Sequence, residues 1–438
     1  MRILKIIAVI IVSSITACQP GEKVDVKAND YHNALDKLTE VMVYDIFSPP
    51  EASRVYAYPS ITAYEIIVQD TANNYKSLSG QIDHFPPIPK LKEQPDVNLN
   101  MSAVMAYINI GEELIFSTQK VKAYKDSIYQ NWKKSPNFKE SLNYADEVSQ
   151  HIIEWAKKDN YAQTRTMPKF SINTDDPSRW VPTPPDYMDG VNPNWYKMRT
   201  FVLDSASQFK PQRPTPFSME ENSQFYKEVM EVYEAVNKAR KKGDESEEVR
   251  IAQFWDCNPY VSTHKGHMMF ATKKITPGAH WILINKIASR KANFNFAETA
   301  RSYALLTVGI YDAFINNWDE KYRSNLIRPE TLINKHIDEQ WSPILQTPPF
   351  PEYTSGHSAI SGTASVILSK IYGDKFYFKD NTEVPYGLPV RDYNSFDEAA
   401  EEAAISRLYG GIHFTPSIEE GLQQGRKVGK YVIKSIEL

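Results

Sequence analysis

Between Lys321 and His413 the chain carries three short cationic pieces, and what it can become depends on whether its fold brings them together. The first is Lys321, followed after six residues by Arg328-Pro329. The second is Thr354-Ser355-Gly356-His357, and the third is Ser406-Arg407 with His413 five residues further on. Joined in one place, three cations, two imidazoles and a helix-opening Ser-Gly pair make a cradle for a tetrahedral oxyanion. Taken singly, each piece reads as ordinary structure, such as a Lys complementing a helix C-terminus or a His in a capped helix.

Local patterns place these pieces at helix ends. Ala300 to about Tyr322 reads as one helix, with Tyr303, Leu306, Ile310, Ala313 and Phe314 on its buried stripe, so Lys321 falls near its C-terminus. Pro329 biases Arg328 away from helical geometry. Ser355 is a good N-cap for the helix marked by Ile360, Ala364, Ile367 and Leu368, and Gly356 admits a ligand close to the backbone. His357 then lies in the first turn, where the positive end of the helix dipole lowers its pKa and suits it to general acid–base work. Ser395 with Glu398 predicts a capping box for a helix ended by Gly410-Gly411, which leaves His413 beyond the turn. Thr415-Pro416 predicts the cap and first residue of a last helix. Its Gly421, Gly425 and Gly429, four apart, allow close packing on a neighbour.

The rest of the chain is also helical in pattern. Leu35, Leu38, Val41, Met42 and Ile46 recur at threes and fours, and Ser48-Pro49-Pro50 separates that helix from one starting near Glu51. Alternating β patterns and Asn-Gly turns are scarce, so the expected class is all-α, in two helical bundles. Proline clusters at 86–89, 177–193 and 211–216 predict ordered loops wrapped over that scaffold. The charged run Lys238 to Glu248 is an exposed helix end or linker. It divides an N-terminal bundle (31–245) from a C-terminal one carrying the oxyanion pocket (246–438). A weak internal repeat supports the division: Arg54, Tyr64 and Glu65 recur as Arg301, Tyr311 and Asp312 at the same spacing.

Residues 1–17 read as a signal peptide, with Arg2 and Lys5 before a short apolar run, and Ile15-Thr16-Ala17-Cys18 resembles a lipoprotein cleavage site. The expectation is an exported protein tethered by residues 18–30 and held to a membrane only through a lipid on Cys18. No later stretch is long and apolar enough to span a bilayer. Cys257 is then the sole remaining thiol, so no internal disulfide is available, and it reads as a small buried hydrophobe. A formal net charge of −4 gives no case for nucleic acid. Oligomeric state is not written in these patterns.

The ordered set K-x6-RP, SGH and SR-x5-H resembles the signature of the vanadium-dependent haloperoxidase and type 2 phosphatidic acid phosphatase superfamily, with Thr354 standing where the pattern has Pro. The resemblance implies that Lys321, Arg328 and Arg407 hold the equatorial oxygens of vanadate or phosphate, helped by Ser355 and the Gly356 amide. It makes His413 the axial ligand of vanadium, or the nucleophile toward phosphorus in a phosphatase, and His357 the acid–base residue. Trp318 and Phe350 resemble the halide-side aromatic pair of chloroperoxidase-type members. Vanadate would be the cofactor, with no haem, flavin or nicotinamide motif in view, and hydrogen peroxide and a halide would be the substrates.

Many members carry an Asp four residues after the final His, as an orienter of its second nitrogen; here that position is Ser417. Glu419, Glu420 or a backbone carbonyl are the candidates to replace it. Asp256 is expected to pair with Arg407 and set its direction. His264, His267 and His280 have the spacing of a zinc site but no supporting acidic residue or helix pattern. Two rivals to a haloperoxidase stay open at this level: an acid phosphatase working through phospho-His413, and a non-catalytic surface protein with a relic phosphate site.

Overall fold

The computed structural model describes residues 22–91, 96–265, 268–271 and 273–437, so Cys18 and the signal segment lie outside it. The first half holds α1 (Ala28–Tyr44), α2 (Pro49–Val68), α3 (Leu99–Leu114), α4 (Thr118–Trp132), α5 (Phe138–Ala156) and the single turn α6 (Tyr161–Thr166). After a long loop come α7 (Gln224–Lys242), α8 (Glu247–Phe254) and an antiparallel pair, β1 (Ser262–Lys265) and β2 (Met268–Ala271). Then follow α9 (Pro277–Lys291), α10 (Phe296–Ser324), α11 (Pro329–His336) and α12 (Gly356–Tyr372). A second small pair, β3 (Phe378–Asp380) and β4 (Arg391–Tyr393), leads into α13 (Phe396–Tyr409) and α14 (Thr415–Ser435). The all-α expectation holds, with two short hairpins as the only strands among the described residues.

Helix ends follow their sequence signals closely. Ser48 accepts from Glu51 N and starts α2 with two prolines in its first turn, which a helix tolerates because those N–H groups have no partner there. α10 is longer than the expected stretch because Asn295 and Glu298 cap it reciprocally. At α13, Ser395 accepts from Glu398 N as expected, but the Glu398 carboxylate reaches Asn394 N instead of closing the box. α14 differs by one residue: Phe414 is the N-cap, and Thr415 already sits in the helix with Pro416 behind it.

Two buried helices, α2 and α10, pack together at the centre of a hydrophobic core that runs from Val26 to Ile436. The repeated acidic residue has the same task in both. Glu65 accepts from Leu78 N and Ser77 Oγ, and Asp312 accepts from the amides of Phe201, Val202 and Leu203, so each carboxylate pins a loop to its helix. The proline-rich stretch 167–223 behaves as the wrapping loop its composition predicts. Trp180 N bonds Asn325 O, Val191 N bonds Pro349 O, and the Val191 carbonyl accepts from both Trp318 Nε1 (3.1 Å) and Tyr322 Oη (2.7 Å).

α12 and α14 make the closest helix pair, and glycine is the reason. A Cβ built on Gly425 would sit 1.9 Å from Ala359 O, and one on Gly421 would sit 2.7 Å from Ser355 O. The three glycines at four-residue spacing let the two backbones touch, which sets α14, and the His413 turn before it, against the start of α12.

Candidate active site

The three cationic pieces meet on one short segment, residues 350–356. Arg328 Nε donates to Phe350 O (2.9 Å), and the Lys321 ammonium donates to the carbonyls of Pro351 (3.2 Å), Glu352 (3.2 Å) and Thr354 (2.6 Å). Ser355 and Gly356 continue the segment into α12, with Ser355 as its N-cap. Arg328 Nη1 also donates to Ile412 O (2.8 Å) and lies 3.1 Å from His413 Nε2. Arg407, on the last turn of α13, donates to Trp255 O (2.7 Å), and its charge depresses the basicity of both His357 and His413.

All three cations are fully buried, and among the described residues none forms an ion pair with a carboxylate. Their protons go to carbonyl oxygens instead. Burial pulls both Arg328 and Arg407 down to about 10 and draws Lys321 well below its ordinary value, with Arg328 beside it adding to the effect. Buried positive charge held this way is costly unless an anion joins it. The polar inventory agrees: Arg328 Nη2 and His357 Nε2 are buried and have no partner. Gly356 leaves the space a ligand needs beside Lys321, since a Cβ there would lie 3.7 Å from Lys321 Cε. The donor set therefore fits vanadate or phosphate.

The two imidazoles line one cavity of about 30 Å³ with Trp318, Phe350, Phe314, Gly356 and Cys257. Burial lowers the pKa of each well below the usual histidine value, so both are neutral; nearby Arg407 reinforces this at His357, and Arg328 and Lys321 at His413. For His357 the lowered value expected from sequence holds, with desolvation as the largest cause. Trp318 and Phe350 pack with centroids 5.1 Å apart and form the apolar wall.

A family model for the second helical-bundle domain of vanadium chloroperoxidase matches residues 301–437. The solved structure of a bacterial vanadium-dependent iodoperoxidase is 53% identical in sequence, with a TM-score of 0.92, covering 95% of this chain and 98% of that one. The chain belongs to the vanadium-dependent haloperoxidases. A holo-type bacterial vanadium-dependent chloroperoxidase shares the fold at 15% identity and a TM-score of 0.66, over 94% of this chain and 98% of that one. The vanadium chloroperoxidase of Curvularia inaequalis is 28% identical over a stretch that covers 27% of this chain and only 28% of that protein.

Within this haloperoxidase the sequence reading missed the residue that orients His413. Glu352 Oε1 lies 2.8 Å from His413 Nδ1 and also accepts from Phe414 N (3.0 Å). Ser417 Oγ is a secondary contact at 3.4 Å. Glu419 and Glu420 have no such contact among the described hydrogen bonds: the orienter arrives from the loop before α12, not from α14. Its only signal was an acidic residue three before Ser355, inside the motif region. With Nδ1–H given to Glu352, the Nε2 lone pair faces Arg328 and the cavity.

Asp256 pairs with Lys274 rather than Arg407, because the Trp255 carbonyl takes the guanidinium first. Thr354 is more than a tolerated departure from proline. Its hydroxyl donates to Gln424 Oε1 (2.6 Å) and accepts from Asn317 Nδ2 (2.8 Å), a tie between α14 and α10 that proline cannot make. Ser355 Oγ is occupied at the helix cap, accepting from Ser358 N and lying 2.9 Å from Ser358 Oγ.

Glu352→Gln tests the orienter. Burial pushes this carboxyl up to about 7, so below that value it is protonated and draws the His413 proton weakly. We expect vanadate affinity about 10–100-fold lower in the variant. In the parent, affinity gains as pH rises through about 7, and the variant lacks that step. Calorimetric titration of vanadate into both proteins across this window decides the matter, and superimposable curves would remove Glu352 from the site.

Proposed function

We propose that this chain uses vanadate to oxidise a halide, iodide foremost, with hydrogen peroxide, releasing a hypohalous acid equivalent. One observation carries the reading: Arg328, one of three buried cations with no ion pair among the described residues, donates to Nε2 of a histidine that lines the same cavity as an aromatic pair. In this reading Lys321, Arg328, Arg407, Ser355 and the Gly356 amide would hold the oxygens of vanadate, and His413 Nε2 would bind its vanadium. When bound, vanadate would supply Lewis-acid chemistry toward the O–O bond of peroxide. Lys321 gives up one of its two longer carbonyl contacts to bind the oxidant, and His357, neutral and unpartnered at Nε2, moves the proton. Trp318 and Phe350 exclude water on the halide side. Iodide is favoured because it is the most weakly hydrated of the common halides and because the 53% identical relative is an iodoperoxidase.

The test compares purified protein stripped of vanadate with protein loaded with orthovanadate. Peroxide-dependent triiodide formation should appear only after loading and exceed bromide and chloride oxidation. Turnover of p-nitrophenyl phosphate without halide oxidation would establish the phosphatase reading. Silence in both assays would leave a relic anion site.

A further inference from the structure

At the wall of the anion pocket, which Cys257 itself helps to line, lies a second cluster that the proposed reaction does not use. Cys257, just after α8, His280, in the first turn of α9, and Glu383, just after β3, place Sγ, Nδ1 and a carboxylate oxygen within 4.8 Å of one another. All three side chains are buried. They come from three separated stretches of chain, so local sequence does not force them together.

The distances have the dimensions of a coordination sphere. Cys257 Sγ lies 3.3 Å from His280 Nδ1, and His280 Nδ1 lies 3.5 Å from Glu383 Oε1. A tetrahedral zinc ion with ordinary bond lengths sets its sulfur and nitrogen ligands about 3.6 Å apart and its nitrogen and oxygen ligands about 3.4 Å apart. Glu383 Oε1 has no hydrogen-bond partner despite its burial, an unsatisfied acceptor aimed into the cluster. The other face of the imidazole is equally specific. His280 Nε2 sits 2.8 Å from Asp380 Oδ2, and Asp380 is itself held by the amide and hydroxyl of Thr382. A carboxylate that fixes the proton on one ring nitrogen turns the lone pair of the other toward a metal.

We infer that Cys257, His280 and Glu383 form a divalent metal site of zinc-like preference, with Asp380 as the orienting carboxylate and water in the fourth position. A thiolate, an imidazole and a carboxylate suit a borderline ion such as Zn²⁺ better than Mg²⁺ or Ca²⁺. The site differs from the zinc reading taken from sequence: His280 belongs to it, while His267 and the His264 side chain lie outside the described residues. Its place in the fold gives it a positioning role. It ties the Trp255–Asn258 segment to α9 and β3, and the Trp255 backbone is the group that holds Arg407 and His357.

The experiment uses the full-length protein grown with added zinc and then dialysed, with metal content read by mass spectrometry and no vanadate present. One zinc per chain is expected in the parent, and loss of it in Cys257→Ser and Glu383→Gln. Asp380→Asn should weaken zinc binding about 10–100-fold. Replacing zinc with cobalt should give a thiolate-to-cobalt charge-transfer band in the parent that Cys257→Ser abolishes. Parent protein that dialyses free of metal and shows no such band with added cobalt would overturn the site and leave a plain hydrogen-bonded network. Both outcomes are read on the parent, so a variant that fails to fold does not decide the question.

Discussion

His413→Ala protein should fold normally yet lose vanadate-dependent iodide oxidation by about 10²–10³-fold, the scale on which a well-placed charge-stabilising group acts. The imidazole is buried, but it is held by hydrogen bonds to Glu352 and Arg328 rather than by core packing, so its removal damages the site more than the scaffold. Calorimetry should show vanadate binding lost along with turnover, while far-ultraviolet circular dichroism stays unchanged. Retained turnover with bound vanadate would exclude His413 as the axial ligand. Ser417→Ala is the useful companion: its 3.4 Å contact is secondary, so only a few-fold change is expected. Equal losses in the two variants would point to disruption of the turn and not to loss of a ligand.

The largest expected effect on stability comes from a single methyl group. In Gly425→Ala the new Cβ would overlap Ala359 O, a backbone atom in the first turn of α12 that cannot rotate aside. Separating α12 from α14 should cost about 3 kcal/mol, a large fraction of the 5–15 kcal/mol typical of a folded protein. Gly80→Ala provides the contrast. That glycine has open space around it and only a left-handed φ of 82°, so its replacement should cost about 1 kcal/mol. Urea unfolding of both variants measures the difference. A Gly425→Ala midpoint equal to that of Gly80→Ala would mean the two helices are not in backbone contact.

Much of this was legible in the sequence because the signals were local. Caps at Ser355 and Ser395 and the prolines after Arg328 and Ser48 each depend on a few neighbouring residues, and each lands where expected to within a residue or two, while the apolar spacing marks α10 but not its full length. The glycine ladder of α14 was readable for the same reason. What escaped were partnerships across long separations. Nothing near His413 in sequence announces Glu352, sixty-one residues earlier, and nothing near Arg407 announces that a carbonyl at Trp255 would displace the expected carboxylate. The metal cluster is the extreme case, since Cys257, His280 and Glu383 become neighbours only once α9 and β3 are in place.

Residues 350–356 serve as a common mount for parts that would otherwise be adjusted one by one. Arg328, Lys321, His413 and the opening turn of α12 are all fastened to it, so the spacing between ligand and counter-ligand is fixed by one short piece of chain. A disturbance of that piece would tilt Lys321, Arg328 and His413 together, and only Arg407, held separately by the Trp255 carbonyl, would keep its place.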